Sequence, residues 1–289
     1  MKTPLLAFFL IFYFNSYSQQ YPDFASCNRS KDIGGSSQVS YYQYPSMNKY
    51  DVKYLKLNLE IEAGSRIISG SALTIAKATA PLDSFIIELK NNMIVDSVII
   101  NGTRRTFSHS ADHIYIPLNP VISAGANIEA LIFYNGIGGN GIFSGTVTTN
   151  GLIYTASLSE SFQAREWFPA KQILNDKIDS ADLWFTTSSN TKVGSNGLLK
   201  SIVPLPTGRV QYQWKERYPM NYYMPSFSAG NYLEYLNYAK PAAIAPDSIL
   251  ILHYIVNNPS YFASVKENLD KTPRFLEKMS ELFSMYPFR

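Results

Sequence analysis

Zinc-assisted hydrolysis needs three protein ligands and one open coordination position, and histidine is the usual donor. This sequence offers three histidines, His109, His113 and His253. His109 and His113 have the i, i+4 spacing of a helical metal pair, in Ser-His-Ser-Ala-Asp-His with Asp112 between them. A peptidase helix would also carry a glutamate beside the first histidine, to handle the proton of the attacking water. Ser110 stands there instead, and the segment falls between strand-like runs. A turn is expected at this point, and no zinc site. His253 lies in the run Ile249-Leu250-Ile251-Leu252-His253-Tyr254 and reads as a sheet residue. No Gly-x-Ser-x-Gly elbow or other nucleophile motif occurs. Gly136-Ile137-Gly138-Gly139-Asn140-Gly141 lacks the lysine and the strand-to-helix setting of a phosphate cradle, so it reads as a loop. The remaining group of interest is Glu160, which on local sequence alone is a solvated loop carboxylate.

The elements that must position such groups are mostly strands. Tyr50 to Ile61 alternates apolar and polar residues, the period-2 signature of a half-buried strand. Ala63-Gly64-Ser65 is a turn, and Ile67 to Ala76 runs back. Phe85 to Leu89 and Met93 to Ile100 follow, the latter ending in the hairpin signal Asn101-Gly102. His113 to Leu118 and Ile128 to Tyr134 complete a series of short strands at roughly ten-residue spacing, which argues for an antiparallel sandwich or saddle of sheets. Further strands are expected over 198–214, 226–236 and 249–256. The pattern changes near 259, where Val265, Leu269, Phe275, Leu276, Met279 and Phe283 fall at helical spacing, with Pro273 dividing the run.

Composition agrees with a β-rich extracytoplasmic protein. A chain of 289 residues holds one large or two ordinary domains. Its hydrophobic fraction of 46% suffices for a sizeable core, while charged residues are only 16%, against roughly 25% in typical soluble domains. The net charge of +3 comes with no basic run, so nucleic acid is not an expected partner. Lys2, the apolar run Leu5 to Phe14, and Ser16 and Ser18 before Gln19 form a signal peptide over residues 1–18. Its apolar run is too short for a bilayer span, which takes about 20 residues. The expected locale is therefore periplasmic or secreted, with no integral membrane segment after cleavage. Cys27 is the single cysteine, so no intrachain disulfide can form. Residues 19–48 read as an irregular lead-in.

One stretch carries a specific resemblance. Ala164-Arg165-Glu166-Trp167-Phe168-Pro169, then Asp176-Lys177, then Ser195-Asn196-Gly197 closely resemble the aminopeptidase N family of zinc metallopeptidases. That family shows S-E-P-x-x-A-R-x-W-F-P-C, D-K and S-N-G-x-L in this order. Tyr50-Asp51-Val52, Ile67 to Gly70, Leu89 to Val98, Tyr134-Asn135-Gly136 and Pro219-Met220 also resemble its strands, so the likeness runs from residue 50 to 289. It implies a mainly β N-terminal domain over 49–257. Residues 258–289 would then open a thermolysin-like peptidase domain, with the chain ending before the zinc-binding motif. It also implies a zinc cofactor in the full-length family and none in this chain.

The resemblance further assigns the α-ammonium anchor of a peptide substrate to Glu160. Leu158 departs from the family, which has glutamine there, and Ser161 and Ala170 replace its proline and cysteine. Arg165, Trp167, Phe168, Pro169 and Lys177 are expected to be structural, the aromatics through burial and the guanidinium through a buried carboxylate or carbonyl. An exported aminopeptidase lacking its zinc site is the favoured reading. A non-catalytic β-sandwich that binds peptide N-termini and a generic surface-binding domain are the alternatives.

Overall fold

The computed structural model describes residues 43–148 and 151–288; the expected signal peptide, Cys27 and most of the lead-in lie outside the described residues. The strands in chain order are β1 (Tyr50–Glu60), β2 (Ile67–Ala78), β3 (Leu82–Glu88), β4 (Met93–Ile100), β5 (Thr103–Arg105), β6 (Ser108–Ser110) and β7 (His113–Ile122). There follow β8 (Asn127–Ile137), β9 (Ile142–Val147), β10 (Leu152–Ser157), β11 (Lys177–Ile178), β12 (Ser180–Ser188), β13 (Lys192–Ser195) and β14 (Leu198–Leu205). The last are β15 (Arg209–Glu216), β16 (Met220–Asn221), β17 (Phe227–Gly230), β18 (Tyr232–Ala239) and β19 (Ile249–Val256), before helices α1 (Pro259–Leu269) and α2 (Thr272–Leu282).

The protein is mainly β. Eight strands form one long sheet in the order β14-β15-β12-β1-β2-β8-β4-β5. A four-stranded sheet, β13-β17-β10-β9, and a three-stranded sheet, β3-β7-β6, join it around one core. Alternation in the sequence explains the strands directly. On β1, Leu55, Leu57 and Leu59 are buried, while Asn58 and Glu60 between and after them are exposed. Each fully buried leucine contributes roughly 1.5–3 kcal/mol through the hydrophobic effect. Ring contacts tie the layers together: Tyr50 of β1 lies 4.7 Å from Phe85 of β3, and Phe185 of β12 lies 5.0 Å from Phe227 of β17. Asn101 and Gly102, at φ 48° and 76°, make the tight β4–β5 turn with both residues left-handed.

Pairing is antiparallel with one exception. β1 and β12 run parallel, Tyr54 opposite Ser180 through Glu60 opposite Thr186. A parallel pair needs a crossover, and here it contains everything from β2 to β11. The stretch from 142 to 178 is part of that crossover, so both of its flanks are held by the main sheet.

The helices are attached differently. Asn258 caps α1, its side chain accepting the Tyr261 amide at 3.0 Å. The Asp270 carboxylate accepts the Tyr235 hydroxyl, and Glu277 accepts the Lys240 amide at 2.6 Å. Neither helix has a buried residue, and Phe275, Met279 and Leu282 on α2 are exposed. Among the described residues, no helix is long and apolar enough to cross a membrane.

Candidate functional site

The histidines do not make a site. Among the described residues no three histidine, cysteine, aspartate or glutamate side chains come together as metal ligands. His109 on β6 donates from Nε2 to the Leu89 carbonyl at 2.8 Å. His113 opens β7, bonds the Ala111 carbonyl at 2.7 Å through Nδ1, and packs edge-on against Tyr44. Both rings are thus committed to carbonyls, and the turn between them has Ala111 and Asp112 left-handed. Burial holds His253 below the usual histidine range, which suits a neutral sheet residue beside Tyr235.

Glu160 stands in a different setting. β10 delivers the chain to Leu158 and Ser159, and a tight turn follows in which the Gln163 amide bonds the Ser159 carbonyl at 3.1 Å. A short 3-10 helix, Ala164–Glu166, then leads into the buried residues Trp167, Phe168 and Pro169. Within the turn Ser159 is buried, and Leu158, Glu160 and Phe162 are exposed.

Long-range bonds hold this turn from both sides. The Trp167 indole N–H donates to the Ser159 hydroxyl at 2.9 Å. The Tyr222 hydroxyl donates to the Ser161 carbonyl at 2.7 Å, and burial raises its pKa so that it stays a donor. Trp167 itself is wedged 4.6 Å from Phe168 and 5.4 Å from Phe227, and its carbonyl accepts the buried Tyr134 hydroxyl at 3.0 Å.

The block behind the turn is built on buried charge. Glu88 is fully buried and accepts Gln172 Nε2 at 2.7 Å, with Arg165 Nη1 at 3.5 Å. Ala170 and Glu88 exchange both backbone bonds, at 3.0 and 2.9 Å, which sets the block's register against β3. Beneath it Lys171 pairs with Asp176 and donates to the Tyr50 carbonyl. Burial pushes the Lys171 ammonium down and lifts the Asp176 carboxyl, with the pairing offsetting part of each effect. A cavity of about 20 Å³ beside them has room for about one water, so this is core and not a ligand pocket.

Of the residues singled out from sequence, Arg165, Trp167, Phe168 and Pro169 therefore lie in the core block, and Leu158 and Glu160 on the turn it supports. Lys177 does neither. It lends its backbone to β11, opposite Asn221 of β16, while its side chain is exposed. The buried side chain of that Asp-Lys pair is Asp176, whose carboxylate also accepts the Val52 amide at 3.2 Å. Ser195-Asn196-Gly197 is a corner: Asn196 accepts the Ser226 amide at 2.7 Å, and a side chain on Gly197 would lie 2.3 Å from the Lys215 carbonyl oxygen. Ser159, Tyr222, Glu88 and Gln172 escaped the sequence reading, since each acts through a distant partner.

Comparison with known proteins identifies the class of this fold. No family model matches the chain, and no curated protein matches it. Solved structures do. A crystal structure of an M1 zinc metallopeptidase from Deinococcus radiodurans superposes with a TM-score of 0.67 at 21% identity. A point mutant of that enzyme gives 0.68 at 20%, and the mutant bound to a Tyr-Ser-Ala substrate gives 0.67 at 21%. Each match covers 83% of this chain and 55% of the solved one, so this chain spans little more than half the length of those enzymes. Over the part it spans, the protein has the fold of M1 zinc metallopeptidases.

Proposed function

We propose that this chain is the N-terminal part of an exported zinc-dependent aminopeptidase, with residues 49–257 as its β-domain and 258–289 opening its peptidase domain. The described residues do not fit a zinc ion, because no ligand triad forms among them; a zinc site would be built from other residues. The role of this part is to hold the substrate. An exopeptidase must fix a cationic N-terminus at a set distance from the bond it cuts, and a carboxylate does so through a charge-assisted hydrogen bond. Glu160 has the required form. Its carboxylate is exposed, no cation pairs with it among the described residues, and its turn is bonded on both sides to buried aromatics. That last observation carries the reading, since it distinguishes Glu160 from a carboxylate on a loose loop.

Residues 1–18 support export to the periplasm or beyond. The gene should encode H-E-x-x-H beyond codon 289, which sequencing of the locus checks. In the polypeptide carrying that motif, Glu160→Gln keeps the shape and removes the charge. The expected fall in kcat/KM for free-N-terminus substrates is at least about tenfold, or roughly 1.4 kcal/mol. An unchanged kcat/KM together with a lowered melting temperature would make Glu160 structural and end this assignment.

A further inference from the structure

One face of the long sheet carries a row of side chains without charge. Gln213 on β15 stands opposite Trp184 on β12, Trp184 opposite Asn58 on β1, and Asn58 opposite Ser71 on β2. Phe133 on β8 continues the row from Ser71, and Ser97 on β4 ends it. Residues in register share a face of the sheet. Leu57 and Leu59 beside Asn58, and Ile132 and Tyr134 beside Phe133, are buried, so the row lies on the side turned away from the core. Asn58 and Phe133 are exposed, and the other four are half-buried. At about 4.8 Å per strand the row runs roughly 24 Å, with about 14 Å between Trp184 and Phe133.

The amides along the row are oriented by one another. Ser201 Oγ donates to Gln213 Oε1 at 2.7 Å, Gln213 Nε2 to Gln211 Oε1 at 2.8 Å, and Gln211 Nε2 to Asn58 Oδ1 at 3.1 Å. That relay occupies the Asn58 oxygen and leaves its amide N–H donors without a partner among the described residues, as is the Trp184 indole N–H. Charge bordering the row is already engaged: Lys56 lies over the Trp184 ring at 3.3 Å, and Glu60 pairs with Arg209 at 3.5 Å.

We infer that this face binds an uncharged glycan chain. Phe133 is the platform for the C–H face of one sugar ring, and the Asn58 amide and the Trp184 indole N–H donate to sugar hydroxyls. Complementarity of charge selects this class of ligand. An ionic chain would find no counter-charge along the row, and a wholly apolar partner would leave the amides desolvated without hydrogen bonds. A neutral glycan offers hydroxyls for the amides and C–H surface for the ring at once. Nothing in this depends on Glu160.

The test titrates the 289-residue chain with cellohexaose, maltohexaose and mannohexaose, and with glucose and hexagalacturonate, following the Trp184 indole and Asn58 side-chain resonances by NMR. At least one neutral hexasaccharide is expected to shift both resonances and to bind about tenfold or more tightly than glucose, since a single sugar reaches only part of the row. Asn58→Ala and Phe133→Ser should each weaken that binding by at least about fivefold, with the denaturant midpoint unchanged. No shift with any of the neutral hexasaccharides would overturn the inference, as would hexagalacturonate binding as tightly as the neutral chains. Resonances that move with protein concentration alone, together with a doubled mass in light scattering, would give the face to a second copy of the chain instead.

Discussion

Lys171–Asp176 and Lys266–Asp270 consist of the same two side chains, and their surroundings drive the carboxylates in opposite directions. Behind the Glu160 turn, the pair is almost wholly buried, with side-chain exposures of 4% and 8%, and burial raises Asp176. On the helices the exposures are 47% and 40%. There, hydrogen bonds from Lys266 and then Tyr235 lower Asp270 to about 2. Water decides the difference. In the core each charge has given up its hydration and depends on its partner; on the helix it keeps most of that hydration and the partner is an addition. The same contrast extends to whole regions. The block from 164 to 178 is fixed by aromatic packing and buried charge, whereas α1 and α2 touch the hairpin β18–β19 and bury nothing completely.

The contrast breaks most visibly if the buried pair proves dispensable. Asp176→Ala leaves the Lys171 ammonium in the core without its carboxylate and should cost about 3–5 kcal/mol of stability, read by denaturant unfolding. Replacing both members by apolar residues, Lys171→Met with Asp176→Leu, should recover most of that loss, because the desolvation penalty disappears along with the attraction. Asp270→Ala should leave the global denaturant midpoint unchanged. Equal midpoints for Asp176→Ala and the wild type would show that the burial of the pair carries no energetic weight.

Trp167→Phe tests the link between core and turn at smaller scale. It keeps an aromatic ring and removes the N–H that holds Ser159, so about 1–3 kcal/mol should be lost. The amides of 159–163 should also exchange with solvent faster. If the stability falls and their exchange does not change, Trp167 packs the core without ordering the turn.

Limited proteolysis should cut within 258–288 before it cuts any strand from β1 to β19, since short helices without buried contacts open at little cost. Mass spectrometry of the first product should find an end close to residue 257. A first cut inside the β-domain would reverse the ranking of the two regions.

The smallest effect is a local pH dependence. Asp270 has a folded pKa of about 2, below its ordinary 3.8. A depressed carboxylate contributes stability that is present above the unfolded value and lost as pH falls through the folded one. The contact between α1 and the hairpin should therefore loosen between about pH 3.8 and pH 2, visible in Tyr235 emission, and Asp270→Asn should abolish the dependence. A transition that survives in Asp270→Asn would belong to another group.

Much of this was legible in the residues themselves. The alternation of Leu55, Leu57 and Leu59 defines β1, Asn101-Gly102 defines the β4–β5 turn, and the change of period near 259 marks α1. Each is a local signal, set by side chains a few positions apart, and local geometry is what a pattern encodes. Glu160 was legible only through a resemblance, because a single carboxylate in a loop carries no pattern of its own.

The tertiary structure decided the rest. That β12 lies beside β1 in parallel depends on a crossover of more than a hundred residues, and nothing in either strand specifies its neighbour. That the Tyr222 hydroxyl reaches a carbonyl 61 positions away, and Arg165 a carboxylate 77 positions away, follows from how the sheets close on one another. Sequence by itself determined which residues prefer strand, turn or helix, since that preference lies in each side chain and its neighbours. Only packing could decide which carboxylates lose their water, because hydration is a property of the surroundings. Glu88 and Asp176 became core for that reason, and Glu160 remained at the surface.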